Sequence, residues 1–217
     1  MKINHTFCVA TCLAALFAAG CERDTTHTFR GDLAKSFNKP TPEQYLAMTA
    51  SPNPDERREG LIGLAKSPRA SEALALYAAV AGNEAEEVPV RAVALGVLGQ
   101  SRDAAHLPVI VTCLDNDSPR IRWEAATALD NLPGEAAVGP LRRRTIADEA
   151  ANVRAACATA LRHYNRPDVL TTLARALNDP QFAVRNASHK SLKELTTLDL
   201  GYDPQPWLDH AAKTETP

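Results

Sequence analysis

The chain has 217 residues, 45% of them hydrophobic and only 5% aromatic. That is enough for one substantial domain, and its Ala- and Leu-rich composition favours helices packed through small side chains. The formal net charge of -2 leaves no bulk electrostatic argument for nucleic acid or for an anionic membrane surface as partner.

The chain opens with Lys2 and an apolar run, "FCVATCLAALFAA", from Phe7 to Ala19. This run is too short to span a bilayer and reads as an export signal over residues 1–20. Its end, "LFAAGC", resembles the lipobox of bacterial lipoproteins, although Ala18 stands where that family usually carries Leu. The resemblance implies that Cys21 is lipidated and anchors the mature chain to a membrane of the cell envelope. Glu22, in place of Asp, then favours the outer membrane, with the chain facing the periplasm or the surface. Ala18 and Gly20 also suit plain cleavage, so secretion stands as an alternative, as does an uncleaved anchor. Residues 21–40 lack a long apolar period and read as a flexible tether.

From Thr41 onward an internal period governs the sequence. Arg58, Arg91, Arg122, Arg154 and Arg185 each open a predicted helix, and the intervals between them run from 31 to 33 residues. Turns rich in Asp, Asn, Ser and Pro, such as "DNDSP" and "LNDPQ", precede several of these helices and cap them. A further helical segment lies between successive Arg helices, near 42–50, 68–82, 103–114, 134–147 and 167–177. Each unit is therefore a helix pair, and a stack of pairs buries a continuous core that no single pair could bury.

The steps Val90-Arg91, Ile121-Arg122, Val153-Arg154 and Val184-Arg185, with Asp117, Asp148 and Asp179 in the turns before the last three, carry a resemblance. The chain resembles the HEAT-repeat family, in the short bacterial form that phycobilisome-lyase-type repeats also show, over residues 41–198. The resemblance implies an all-α fold, a right-handed α-solenoid of about five stacked helix pairs. It also implies a structural ladder in which Arg91, Arg122, Arg154 and Arg185 pair with Asp117, Asp148 and Asp179 between neighbouring units. As exposed pairs these would contribute at most ~1 kcal/mol each. The first unit departs from the pattern, with Arg57 at the apolar position, and the second has Glu86 and Glu87 in place of a clear Asp. Residues 199–217, with "LGYDPQPWLDH", read as a C-terminal cap and tail in which Trp207 and Leu208 fold over the open end of the core.

On a wheel of about 100° per residue, Ile121, Ala125, Ala128, Leu129 and Leu132 share one face. Trp123 falls opposite, near Thr127 and Asp130. The equivalent strip holds Ala92, Gly96 and Gly99 in one unit, Ala155, Thr159 and Arg162 in the next, and Asn186, Lys190 and Lys193 in the last. In HEAT-like solenoids the second helix of each pair lines the concave surface. One reading of Trp123, Thr127, Asp130, Arg162, Lys190 and Lys193 is thus a partner-binding groove for a protein or peptide. The other is that Trp123 packs against a loop or a neighbouring helix. Arg142, Arg143 and Arg144 point around their helix and read as a solvated face.

Chemistry leaves little trace. Cys113 and Cys157 read as buried small apolar side chains, with a disulfide as the alternative. His5, His27, His106, His163, His189 and His210 form no HExxH motif and no repeated His-Glu pair. "DNDSPR" lacks the Gly and the distal Glu of a calcium loop. The expectation is a chain that is not an enzyme, with no cofactor, no metal and no nucleic-acid partner, acting as an envelope scaffold or adaptor. A bilin-lyase-like enzyme or assembly factor and a purely structural oligomer are the alternatives.

Overall fold

A computed structural model describes residues 39–214. The expected signal peptide, Cys21 and the expected tether as far as residue 38 lie outside the described residues. From Pro40 onward the described chain is helical throughout, with no strand.

Five helix pairs follow one another. They are α1 (Pro42–Met48) with α2 (Pro54–Ala65), α3 (Leu74–Gly82) with α4 (Val88–Ser101), α5 (Leu107–Cys113) with α6 (Pro119–Asn131), α7 (Val138–Ala147) with α8 (Ala151–Ala160), and α9 (Pro167–Ala176) with α10 (Phe182–Thr196). A last helix, α11 (Pro204–Thr214), packs on α9. The chain is an α-solenoid of HEAT-like pairs.

The local sequence sets the boundaries. Pro42, Pro54, Pro89, Pro108, Pro119 and Pro167 stand in first turns, where a missing N–H costs nothing. Thr41 and Gln44 form a reciprocal cap at the start of α1. A single 3₁₀ turn precedes α3, α5 and α7 at Ser71–Ala73, Ala104–His106 and Glu135–Ala137, so these three units enter their first helix in the same way. Arg102 and Thr197, at φ 57° and 61°, end α4 and α10 in the left-handed region.

The second helices α2, α4, α6, α8 and α10 pack side by side in a continuous row. Small residues allow this. A Cβ on Gly99 of α4 would lie 2.6 Å from the Cα of Ala128 in α6. The first helices, carrying Tyr77, Ile110, Leu141 and Leu173, form the second layer, and the core runs between the layers along the whole stack. The first unit is closed by α1, whose Tyr45 ring lies so near Gly63 that a Cβ there would overlap it. At the other end Trp207 is buried, and its Nε1 donates to the carbonyl of Gly201 at 2.9 Å.

Candidate functional site

The arginines reveal a register that spacing alone leaves ambiguous. Arg122 donates from Nη1 to the carbonyls of Asn116 and Asp117, six and five residues before it. Its Nε and Nη2 form a fork on the Asp148 carboxylate of the next unit, at 2.7 and 2.9 Å. Arg154 does the same, with Nη1 on the carbonyls of Asp148 and Glu149 and the fork on Asp179 at 2.7 and 3.0 Å. In the first unit the equivalent residue is Arg57, not Arg58. It bonds the carbonyls of Ser51 and Pro52 and forks onto Glu86.

The position six residues before each arginine is thus Ser51, Asn116, Asp148 or Asp179. Its side chain accepts from the backbone N–H two residues on: Asn53, Ser118, Ala150 and Gln181 respectively. This corrects three expected ladder members, Asp117, Arg91 and Arg185. Asp117 lies one residue out of register and contributes only its carbonyl. The residue in that register of the third unit is Asn116, a neutral amide whose Oδ1 accepts from the N–H of Ser118. Arg91, deprived of a carboxylate, is buried with its Nε on the carbonyl of Ala81. Arg185 holds its own turn carbonyls and, among the described residues, pairs with no carboxylate beyond it.

The formed pairs are also not exposed. Arg122 and Asp148 side chains are 5% and 0% accessible. Burial pushes the Asp148 carboxyl up, but the Arg122 fork, the N–H of Ala150 and the charges of Arg122 and Arg144 together hold it below the ordinary value of 3.8. Asp179 follows the same logic with Arg154 and the N–H of Gln181. The arginine run is likewise committed. Arg142 bonds Thr172 and Asp168, while Arg143 and Arg144 converge on Asp115.

The face of the second helices holds two adjoining depressions. One, of about 390 Å³, lies between α6, α8 and α10 and is lined by Trp123, Thr127, Asp130, Asn152, Ala155, Ala156, Thr159 and Ala183. The other, of about 380 Å³, lies between α2, α4 and α6, over Val88, Pro89, Ala92 and Val93, with Arg58, Arg120 and Glu124 at its edges. Trp123 and Arg120 form the ridge between them. The Arg120 guanidinium sits 5.0 Å from the indole centroid and pairs with Glu124 at 2.6 Å.

Trp123 is half-buried and packs partly onto the core, as the second reading expects, and the rest of its surface lines the depression. Thr127 lines the groove, but its hydroxyl donates to the carbonyl of Trp123. Asp130 accepts from Arg162 at 3.0 Å and contacts His163 Nε2 at 3.0 Å, and Arg162 also approaches Glu194. Lys190 and Lys193 do not line the groove; Lys193 is bound to Asp199. Arg120 and Glu124 belong to the site and were not singled out in the sequence, although Arg120, three residues before Trp123, sits one turn away on the same side of the helix. Asn152, Ala156 and Ala183 carried no such signal, because they depend on how the neighbouring helices are set.

Cys113 and Cys157 are free buried thiols, pushed up by burial, so the alternative of a disulfide between them is not realised. Among the described residues no group of three or more His, Cys, Asp or Glu side chains could hold a metal ion. Among them also, no helix is long and apolar enough to cross a membrane.

No curated protein matches the sequence. Several solved structures are similar, among them these three. The complex of CpcE and CpcF of phycocyanin lyase from Nostoc matches at 21% identity and a TM-score of 0.63, covering 74% of this chain and 67% of that one. An engineered protein matches at 16% identity and 0.56, covering 82% and 87%. Human deoxyhypusine hydroxylase in complex with glycerol matches at 18% identity and 0.50, covering 81% and 82%. The likeness to the lyase complex overturns the expectation that this chain is not an enzyme. A solenoid of this fold occurs in a lyase, so neither the fold nor the lack of a familiar motif excludes catalysis. A family model for HEAT repeats matches residues 78–150 and 140–215. With those matches over most of the chain, and helix pairs stacked in the same residues, this protein belongs to the HEAT-repeat family.

Proposed function

We propose that this chain is a protein-binding repeat scaffold of the bacterial cell envelope, anchored through lipid on Cys21, whose partner lies along the face of the second helices across Trp123. The carrying observation is the Trp123–Arg120 ridge between two apolar-floored depressions. A half-buried indole with a guanidinium over it offers large apolar area at little cost in side-chain entropy, and such residues dominate binding energy where they occur. Small residues on the floor let a partner backbone approach. Arg58 and Arg120, with side chains 47% and 60% accessible, favour a segment carrying carboxylates beside an apolar anchor.

The test is a crosslinked capture from native membranes, with wild type and Trp123→Ala matched for helicity. Loss of a captured partner in the variant, by tenfold or more, supports the groove; equal capture rejects it. Cys21→Ser in the same preparation should release the chain to the soluble fraction, and retention in membranes removes the lipid anchor from the reading.

A second reading has one observation in its favour, the likeness to the phycocyanin lyase complex. In it the same groove assists attachment of a chromophore to an acceptor protein. A visible absorbance band acquired on incubation with a bilin, and lost in Trp123→Ala, would favour it over the envelope scaffold.

A further inference from the structure

Among the described residues, the C-terminal end of the solenoid carries a rung of the arginine ladder that no carboxylate of a following element fills. Arg57, Arg122 and Arg154 share one geometry. Nη1 is held by two turn carbonyls of its own unit, and Nε with Nη2 is presented to the next unit, where a carboxylate takes both. Arg185 is held by the first half of that geometry, with Nη1 at 2.8 and 3.0 Å from the carbonyls of Asp179 and Pro180. Where the filled rungs find a carboxylate 25 to 29 residues on, the sequence after Arg185 offers His210, Ala211, Ala212, Lys213 and Thr214. No ion pair to Arg185 exists among the described residues. The capping helix does not fill the rung, because α11 packs on α9, the first helix of its pair.

Two exposed rings lie beside this fork. Phe182 is 61% exposed and Tyr202 43%, two of the five exposed large apolar residues among those described. Phe182 and Tyr202 lie with ring centroids 6.3 Å apart, and the Arg185 guanidinium sits 5.6 Å from the Phe182 ring. A fixed guanidinium fork beside a pair of exposed rings is complementary to a carboxylate flanked by apolar side chains.

The filled rungs specify that carboxylate further. Asp148 and Asp179 each stand in the turn that opens a helix, with one oxygen accepting from the backbone N–H two residues on and both oxygens facing the fork. We propose that the C-terminal end of the solenoid is a second docking surface, on which Arg185, Phe182 and Tyr202 take a helical segment of a partner protein that opens with an Asp-capped turn. The partner then continues the ladder in trans. The surface is separate from the groove at Trp123 and does not depend on it.

The probe is a helix-stapled peptide of residues 177–193, which carries the Asp179 turn that fills the preceding rung. Binding to the full chain is followed by calorimetry and by the Arg185 Nε–H resonance. The expected result is binding with a downfield shift of that resonance. Affinity should fall at least tenfold for Arg185→Gln protein, and equally for a peptide with Asn in place of Asp179, which leaves the protein untouched. Trp123→Ala should bind as wild type does. Absence of binding at millimolar peptide, or equal binding by Arg185→Gln, overturns the proposal. So does a concentration-dependent dimer that Arg185→Gln abolishes without any peptide binding, since the occupant is then a second copy of this chain.

Discussion

Arg122 concentrates more interaction than any other side chain of the described ladder. It satisfies two turn carbonyls, forks onto buried Asp148 and reaches Glu149 at 3.2 Å. Removing it leaves the Asp148 carboxylate buried, with Arg144 at 3.4 Å and the more distant charge of Arg154 in place of the fork. Breaking a buried pair in this way costs about 3–5 kcal/mol. Arg122→Ala should therefore lower stability by that amount in urea unfolding, whereas Arg58→Ala, whose side chain is 47% accessible, should change it by less than about 0.5 kcal/mol. Equal effects of the two would mean that the buried rung contributes nothing particular. The sequence showed that Arg122 belongs to a ladder, but it ranked the pair as exposed and weak. Burial of a charge depends on the two helices that close over it, and no spacing rule reports that.

At the scale of the helix, glycines in α4 separate two roles that look alike in the sequence. Gly99 sits where α4 and α6 touch, and a Cβ there meets the Ala128 backbone at 2.6 Å, so the helices must part. Gly96 has open space around its would-be Cβ. Gly99→Ala should cost about 1–3 kcal/mol through overpacking. Gly96→Ala should gain roughly 0.5–1 kcal/mol, because alanine loses less backbone entropy in a helix. Thermal melts of both variants decide this, and a gain in Gly99→Ala would show that the two helices are not in contact there. The helix pairs themselves were legible, since their capping turns and their period of about 31 to 33 residues repeat along the chain. The phase of the first unit was not. Arg57 and Arg58 are adjacent, and only the carbonyls of Ser51 and Pro52 show which of them holds the ladder position. The groove followed the same division. Trp123, Thr127 and Asp130 share a helical face that the wheel displays, whereas Lys190 and Lys193 were grouped with them by analogy between units and lie outside the depression.

Across the whole solenoid the junctions between units are not equivalent. Ion pairs cross from the first unit to the second, from the third to the fourth and from the fourth to the fifth. Among the described residues none crosses from the second to the third; there Gly99 meets Ala128 and Arg91 turns back to the carbonyl of Ala81. In a stacked-repeat protein stability is close to a sum over such junctions, so their response to pH should differ. Glu86, Asp148 and Asp179 are all held below their ordinary values. A depressed carboxyl contributes stability that is fully present above its unfolded pKa, 4.5 for Glu and 3.8 for Asp, and that is lost as pH falls through its lower folded value. The second junction has no such carboxylate to lose. Asn116→Asp supplies one in the register of Asp148 and Asp179, as far along the chain from Arg91 as Asp179 is from Arg154. Above pH 5 this variant should be more stable than wild type by about 1 kcal/mol, or roughly 2–4 °C in Tm for a chain of this size. The advantage should shrink toward zero as pH drops below 3.8 and the new carboxyl protonates. Hydrogen exchange should place the added protection in α4 and α6, on either side of the restored rung. A gain that does not change with pH, or no gain at neutral pH, would show that Arg91 cannot leave Ala81 and that the second junction is committed to apolar packing.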